Sequence, residues 1–120
     1  MKIAVSSRGP TLSDPVDSRF GRAAWFIVVD VETNKWQAVE NQQNFQAAQG
    51  AGIQSAECVS RHDVGAVLTG HCGPKAFRAL KAADIKIFTS VEGTVAEAVE
   101  QYKAGTLTAS GDADVEGHWA

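Results

Sequence analysis

The sequence predicts a mixed α/β fold, a five-stranded sheet with helices packed on it, in the order β-β-β-α-β-α-β-α. Two observations carry that reading. Two apolar runs, Trp25 to Val31 and Trp36 to Glu40, are separated only by Glu32-Thr33-Asn34-Lys35. A parallel crossover needs about a dozen residues, so these two strands form an antiparallel hairpin. The second half of the chain then alternates apolar runs with segments of helical spacing, the pattern of parallel strands joined by crossover helices.

Taken in order, Lys2 to Ser7 reads as the first strand, stopped by Gly9-Pro10. A polar loop then runs through Asp14-Pro15 to Arg22. It exceeds the usual connection of about 4–6 residues and is expected to be functional or mobile. Asn41 to Gly52 reads as a loop or a loosely capped helix start, with Phe45 its only large apolar side chain. Ile53, Ala56 and Val59 mark one face of a helix between Gly52 and His62. Ala66 to Thr69 is the next strand. Pro74 opens a helix in which Ala76, Phe77, Leu80 and Ala83 face inward and Lys75, Arg78 and Lys81 outward. Ile85 to Phe88 is a short strand. Thr89-x-x-Glu92 matches a capping box, so the last helix is expected to open there, with Val91, Val95, Ala98, Val99 and Tyr102 as its stripe and Gly105 as its stop.

Residues 1–110 are expected to form one domain. Residues 111–120, with two glycines and three acids and ending His118-Trp119-Ala120, are expected to be a mobile tail. A chain of 120 residues with 44% hydrophobic content is large enough for one proper core. A net charge of −3 removes the simplest argument for non-specific nucleic-acid binding. Two cysteines are too few for a disulfide scaffold. The N-terminal segment turns polar too quickly for a signal peptide, and no apolar run approaches membrane-spanning length, so the cytoplasm is the expected location.

In such a sheet, ligands bind beyond the carboxyl ends of the strands, near a reversal of strand order. Two loops qualify: Ser7 to Arg22, and Gly70 to Pro74. The second holds His71 and Cys72 between glycines. A cysteine at a helix start beside an imidazole has its thiolate favoured, which suits a metal ligand or a nucleophile. The alternative is a small buried hydrophobe, with His71 bonded to backbone. One Cys–His pair is not a ligand set, and no zinc-finger spacing is present. Gly70 and Gly73 suit a nest of backbone donors for an anion, although neither phosphate-binding glycine pattern occurs. Lys75 opposes the helix dipole unless an anion sits there, and Arg8, Arg19 and Arg22 bring positive charge to the first loop. Asp14, Asp17 and Asp30 read either as a carboxylate cluster for two-metal hydrolysis or, more economically, as turn residues. Cys58 and His62, one helical turn apart, are either ligands or core. Trp25 and Trp36 suit hairpin packing better than base stacking.

Lys2-Ile3-Ala4-Val5, Val16-Asp17-x-Arg19-Phe20-Gly21-Arg22-Ala23, Asn41, Gly50-x-Gly52 and Gly70-x-x-Gly73-Pro74-Lys75-Ala76 form an ordered set. It resembles the dinitrogenase iron-molybdenum cofactor biosynthesis family over nearly the whole chain, from Met1 to Gly105. The resemblance implies a ribonuclease H-like fold without nuclease activity. It is strongest to members that hold a molybdenum–copper sulfide cluster (a thiomolybdate-type anion) non-covalently. Carried over, it implies that Phe20, Gly21, Arg22, Gly50, Gly52, and Gly70 through Lys75 rim the cluster. The expected function is therefore non-enzymatic carriage of that anion in a crevice between the two loops. Arg8, Arg22 and Lys75 would neutralise it, Gly70 to Gly73 would donate backbone N–H groups, and His71 and Cys72 would be the candidate metal contacts. A protein partner for delivery would follow from carriage. Two other readings stand beside it: a regulatory module that docks a protein through the same face without a cluster, and an anion- or nucleotide-binding enzyme.

Overall fold

The hairpin forms as expected. In the computed structural model, which describes residues 1–41 and 51–111, β1 (Lys2–Ser7), β2 (Trp25–Asp30) and β3 (Trp36–Glu40) are consecutive antiparallel neighbours. The expectations placed on Phe45, Gly50 and His118 lie outside the described residues. Asp30 builds the hairpin turn. Its Oδ1 accepts from the Glu32 N–H at 2.9 Å, and Asn34 adopts φ 63°, a left-handed conformation that asparagine tolerates. The Glu32 bond also holds the Asp30 carboxyl below its ordinary pKa.

β4 (Val64–Leu68) lies parallel to β1, and β5 (Lys86–Phe88) lies parallel to β4, giving a mixed sheet in the order β3-β2-β1-β4-β5. Strand alternation then sorts the side chains into two layers. Ala4, Phe26, Val28 and Val67 face α1 (Ala51–Ser60) and α2 (Pro74–Ala82), against Ala56, Val59, Phe77 and Leu80. Ile3, Val5, Ile27, Val29, Ala66 and Leu68 face α3 (Val95–Ala104), against Val95, Ala98 and Val99. Helices thus cover both faces of the sheet. Among the described residues, no helix is long and apolar enough to cross a membrane.

The last helix opens later than its first capping match. Thr94, not Thr89, is the cap: its side chain accepts from the Glu97 N–H at 3.2 Å, and Glu97 Oε1 accepts from the Thr94 N–H at 2.9 Å. Ser90 at φ 62° and Gly93 at φ 93° cannot belong to a right-handed helix, and the Thr89 hydroxyl is bonded to Ser110. Val91 is therefore a buried loop residue rather than part of the helical stripe. Beyond Gly105 the chain returns along β5. Ala109 bridges Phe88 and the Ser110 N–H donates to Ile87 O at 2.7 Å, covering a sheet edge that would otherwise be open.

The long first loop is bonded along its length. The Arg8 N–H donates to Pro15 O, the Asp17 N–H to Ser6 O, and the first N–H groups of α3, on Val95 and Ala96, donate to Asp14 O and Leu12 O. The loop thereby caps a helix from outside, satisfying donors that the helix itself leaves open.

Candidate functional site

The site is built on the carboxyl ends of the two central parallel strands, β1 and β4. There the fully buried hydroxyls of Ser6 and Thr69 hydrogen-bond each other at 2.8 Å, and Ser6 Oγ also donates to Asp17 O at 2.9 Å. The first loop is drawn down over the strand ends, the place where a ligand of an α/β sheet ordinarily enters.

It then pairs directly with the glycine turn. The Phe20 N–H donates to His71 O at 3.0 Å, and Arg19 and His71 form a parallel bridge. A side chain on Gly70 would place its Cβ 2.6 Å from Ser18 O and 2.7 Å from Ser18 Cα. The expected crevice between the loops is thus closed at this point by backbone contact. Gly70 is needed for the approach of the chain's own backbone, and its carbonyl accepts from the Ser90 N–H at 2.7 Å.

This pairing decides which way each side chain faces. Consecutive residues of extended backbone point to opposite sides, and bridged partners share a side. Arg19 and His71 lie together on the exposed side, while Phe20 and Cys72 turn into the core beside Ala56 and Ala76. The Cys–His pair is therefore split. Cys72 is 0% exposed, with its Sγ 3.7 Å from Gly73 O, the burial that the small-hydrophobe reading of this thiol expects. Phe20, expected at the rim, is likewise buried, 1% exposed with its ring 5.2 Å from that of Phe26.

The other expected site residues take separate places. Gly73 is the N-cap of α2 and Pro74 its first residue, with no side chain capping the end. Helix geometry leaves the N–H groups of Lys75 and Ala76 without intrahelical partners. The Lys75 side chain is exposed beside them, and no acid lies in that first turn. Arg22 is exposed at the end of a short 3-10 turn, Phe20–Arg22. Arg8 is exposed too, but its bond to Pro15 anchors it in the part of the loop that leans on α3. Gly52 serves helix packing: a Cβ there would stand 3.2 Å from Ala76 Cβ, so its absence lets α1 approach the start of α2.

The structure singles out Arg19 from the positive charges expected of the first loop, placing it through the bridge to His71. It also adds Asn41 as a clamp. Its Nδ2 donates to Ala23 O and Ser55 Oγ, both at 2.9 Å, tying the chain after the 3-10 turn to α1. The signal for Asn41 was the family-like pattern; for Arg19 it was alternation ahead of an apolar Phe20.

The carboxylates are not a cluster. Asp14 accepts from the Thr11 N–H and hydroxyl, Asp17 from the Arg19 N–H, and Asp30 from the hairpin. Each serves its own turn. Among the described residues, no group of three or more His, Cys, Asp or Glu side chains is placed to hold a metal ion.

Cys58 is buried on α1, and burial pushes its thiol above the ordinary 9.0, with Arg61 working in the opposite direction. A raised pKa in the fold means that the stabilising contribution of the neutral thiol is present below the unfolded pKa and lost as pH rises through the folded value. Urea midpoints measured under reductant should therefore fall on going from neutral pH to about pH 10, and Cys58→Ala should make that fall shallower. Equal slopes in the two proteins would contradict this account.

Comparison with known proteins supports the fold. The family model for dinitrogenase iron-molybdenum cofactor matches residues 1–105. The apo form of the orange protein from Desulfovibrio gigas is 42% identical, with 95% of this chain and 96% of that chain covered and a TM-score of 0.90. A Thermotoga protein solved by NMR is 32% identical over 90% of this chain and 91% of that chain, with a TM-score of 0.77. An uncharacterized protein of Methanocaldococcus jannaschii is 26% identical over 109 residues, 89% of each chain. With the family model spanning both site loops and all five strands, this chain belongs to the dinitrogenase iron-molybdenum cofactor family.

Proposed function

We propose that the protein is a non-enzymatic carrier whose cargo is an anionic molybdenum–copper sulfide cluster, held on the surface where the Arg19–His71 pairing meets the start of α2. The observation that carries this reading is the two-sided pairing of the loops. It presents a guanidinium and an imidazole together on the outside, while Phe20 and Cys72 seal the underside. The near-full-length likeness to the orange protein supports the choice of cargo.

The chemistry suits such a group. A thiometallate arrives with its metals already bound to sulfide, so its host supplies positive charge and N–H donors rather than a set of thiolates. Arg22 and Lys75 supply charge close to the pairing, and Arg8 supplies it from further along the loop. Backbone from Gly70 to Gly73 and the open end of α2 supply donors, and Gly52 lets α1 approach that end. His71 contacts the cluster edge, and Cys72 supports the turn from beneath. The sheet order and its antiparallel hairpin support the ribonuclease H-like description of the fold, with residues 1–110 acting as one domain in the cytoplasm and handing the cluster to a protein partner.

Reconstitution with tetrathiomolybdate and copper tests the reading. The expected product has strong visible absorption and a fixed metal stoichiometry, weakened in His71→Ala. A colourless, metal-free product under the same conditions rejects it.

A further inference from the structure

We infer that Arg19 is a direct contact of the anionic cargo and that the buried carboxylate of Asp17 is the residue that positions it. The inference rests on the carrier reading for the contact, while the positioning half stands on the geometry of the protein itself.

Asp17 is only 9% exposed, and among the described residues it belongs to no group of three or more side chains placed to hold a metal ion. Three directional bonds hold it, two of them to β1. The N–H donates to Ser6 O at 2.9 Å, the carbonyl accepts from Ser6 Oγ at 2.9 Å, and Oδ1 accepts from the Arg19 N–H at 2.9 Å. Residue 17 is thereby tied to the end of β1, and its side chain turns the chain so that Arg19 enters extended backbone at φ −125°, ψ 115°. From there Arg19 bridges His71 with its own side chain outward, and the next residue, Phe20, is driven into the core. The turn, the bridge and the buried ring fix the direction of one arginine.

A guanidinium suits this cargo in particular. It is planar, permanently charged and weakly hydrated, so it sheds water readily to meet a large anion whose charge is spread over peripheral sulfurs. Asp17 contributes negative charge beneath an anion site, which weakens attraction. What it supplies is an acceptor for the Arg19 N–H, a role that an uncharged amide can also fill.

Four variants separate the parts: Arg19→Gln, Arg19→Lys, Asp17→Ala and Asp17→Asn. Each is titrated with tetrathiomolybdate and copper by visible absorbance at two salt concentrations. Hydrogen exchange at the Arg19 and Phe20 amides is measured without cargo. Arg19→Gln should bind about fivefold more weakly, with a shallower salt dependence, and Arg19→Lys should fall between it and wild type. Asp17→Ala should lose about tenfold in exchange protection at both amides and bind as weakly as Arg19→Gln, whereas Asp17→Asn, which keeps the acceptor, should retain both. Wild-type uptake by Arg19→Gln would remove Arg19 from the contact. Wild-type protection in Asp17→Ala, or loss of protection in Asp17→Asn equal to that in Asp17→Ala, would overturn the positioning role. Failure of the wild-type protein to load would reject the carrier reading, and the exchange data would still decide the role of Asp17.

Discussion

Gly70→Ala is expected to lower stability by about 2–3 kcal/mol and to separate the two site loops. The new Cβ would lie 2.6 Å from Ser18 O, 2.7 Å from Ser18 Cα and 3.0 Å from Ser18 C. These are backbone atoms, so no rotamer change relieves the clash. The neighbouring backbone is held as well, by the bonds of Asp17 to Ser6 on one side and of Phe20 to His71 on the other. Gly70 itself is held through its carbonyl by the Ser90 N–H. The least costly relief is for the loops to part, which breaks the Phe20–His71 bond and the Arg19–His71 bridge. Urea denaturation should register the loss of stability, and amide exchange at Phe20 should register the parting. A variant with an unchanged midpoint and a protected Phe20 amide would show that the contact has slack that the distances do not suggest.

Phe20→Ala is expected to be the more damaging change, at about 3–5 kcal/mol. The ring is 1% exposed, tilted 47° against Phe26, and packed in the cluster that includes Ala56, Cys72 and Ala76. Truncation leaves a cavity beneath the very turn that carries Arg19 and Arg22, and that turn has no other large side chain buried to hold it down. Phe20→Leu keeps most of the volume and should cost less than about 1.5 kcal/mol. The pair also tests where the residue acts. If Phe20 is the floor of the site, Phe20→Leu retains cluster uptake while Phe20→Ala loses stability and uptake together. Selective loss of uptake in Phe20→Leu, at near-wild-type stability, would return the ring to the rim.

The two capping matches show where local pattern stops being sufficient. Thr89-Ser90-Val91-Glu92 and Thr94-Val95-Ala96-Glu97 carry the same signature a few residues apart, and either sequence can cap a helix. The choice was made by contacts from elsewhere in the chain. Thr89 is engaged by Ser110, Ser90 donates to Gly70, and the loop carbonyls of Asp14 and Leu12 take the first N–H groups only of a helix that begins at Val95.

The candidate site divides in the same way. Its two loops were legible, because glycine, proline and charged residues following apolar runs mark the carboxyl ends of strands. Side-chain direction within them was not. His71 and Cys72 are adjacent in sequence and invite a joint role, yet an extended backbone puts neighbours on opposite sides, and which side is outside depends on what the segment pairs with. Its partner is Arg19, fifty-two positions earlier.

Apolar spacing, the short hairpin gap and the placement of glycine and proline were enough to establish a mixed five-stranded sheet, its order of elements and the two loops at the carboxyl ends of its strands, because each of these is set by periodicity or chain length over a few residues. Only tertiary contact decided that the loops close on each other, that Gly70 serves Ser18, that Cys72 and Phe20 go inside, and that Arg19 joins His71 outside. Those outcomes depend on backbone bonds between segments far apart in the chain, and such bonds leave no periodic trace in either segment alone.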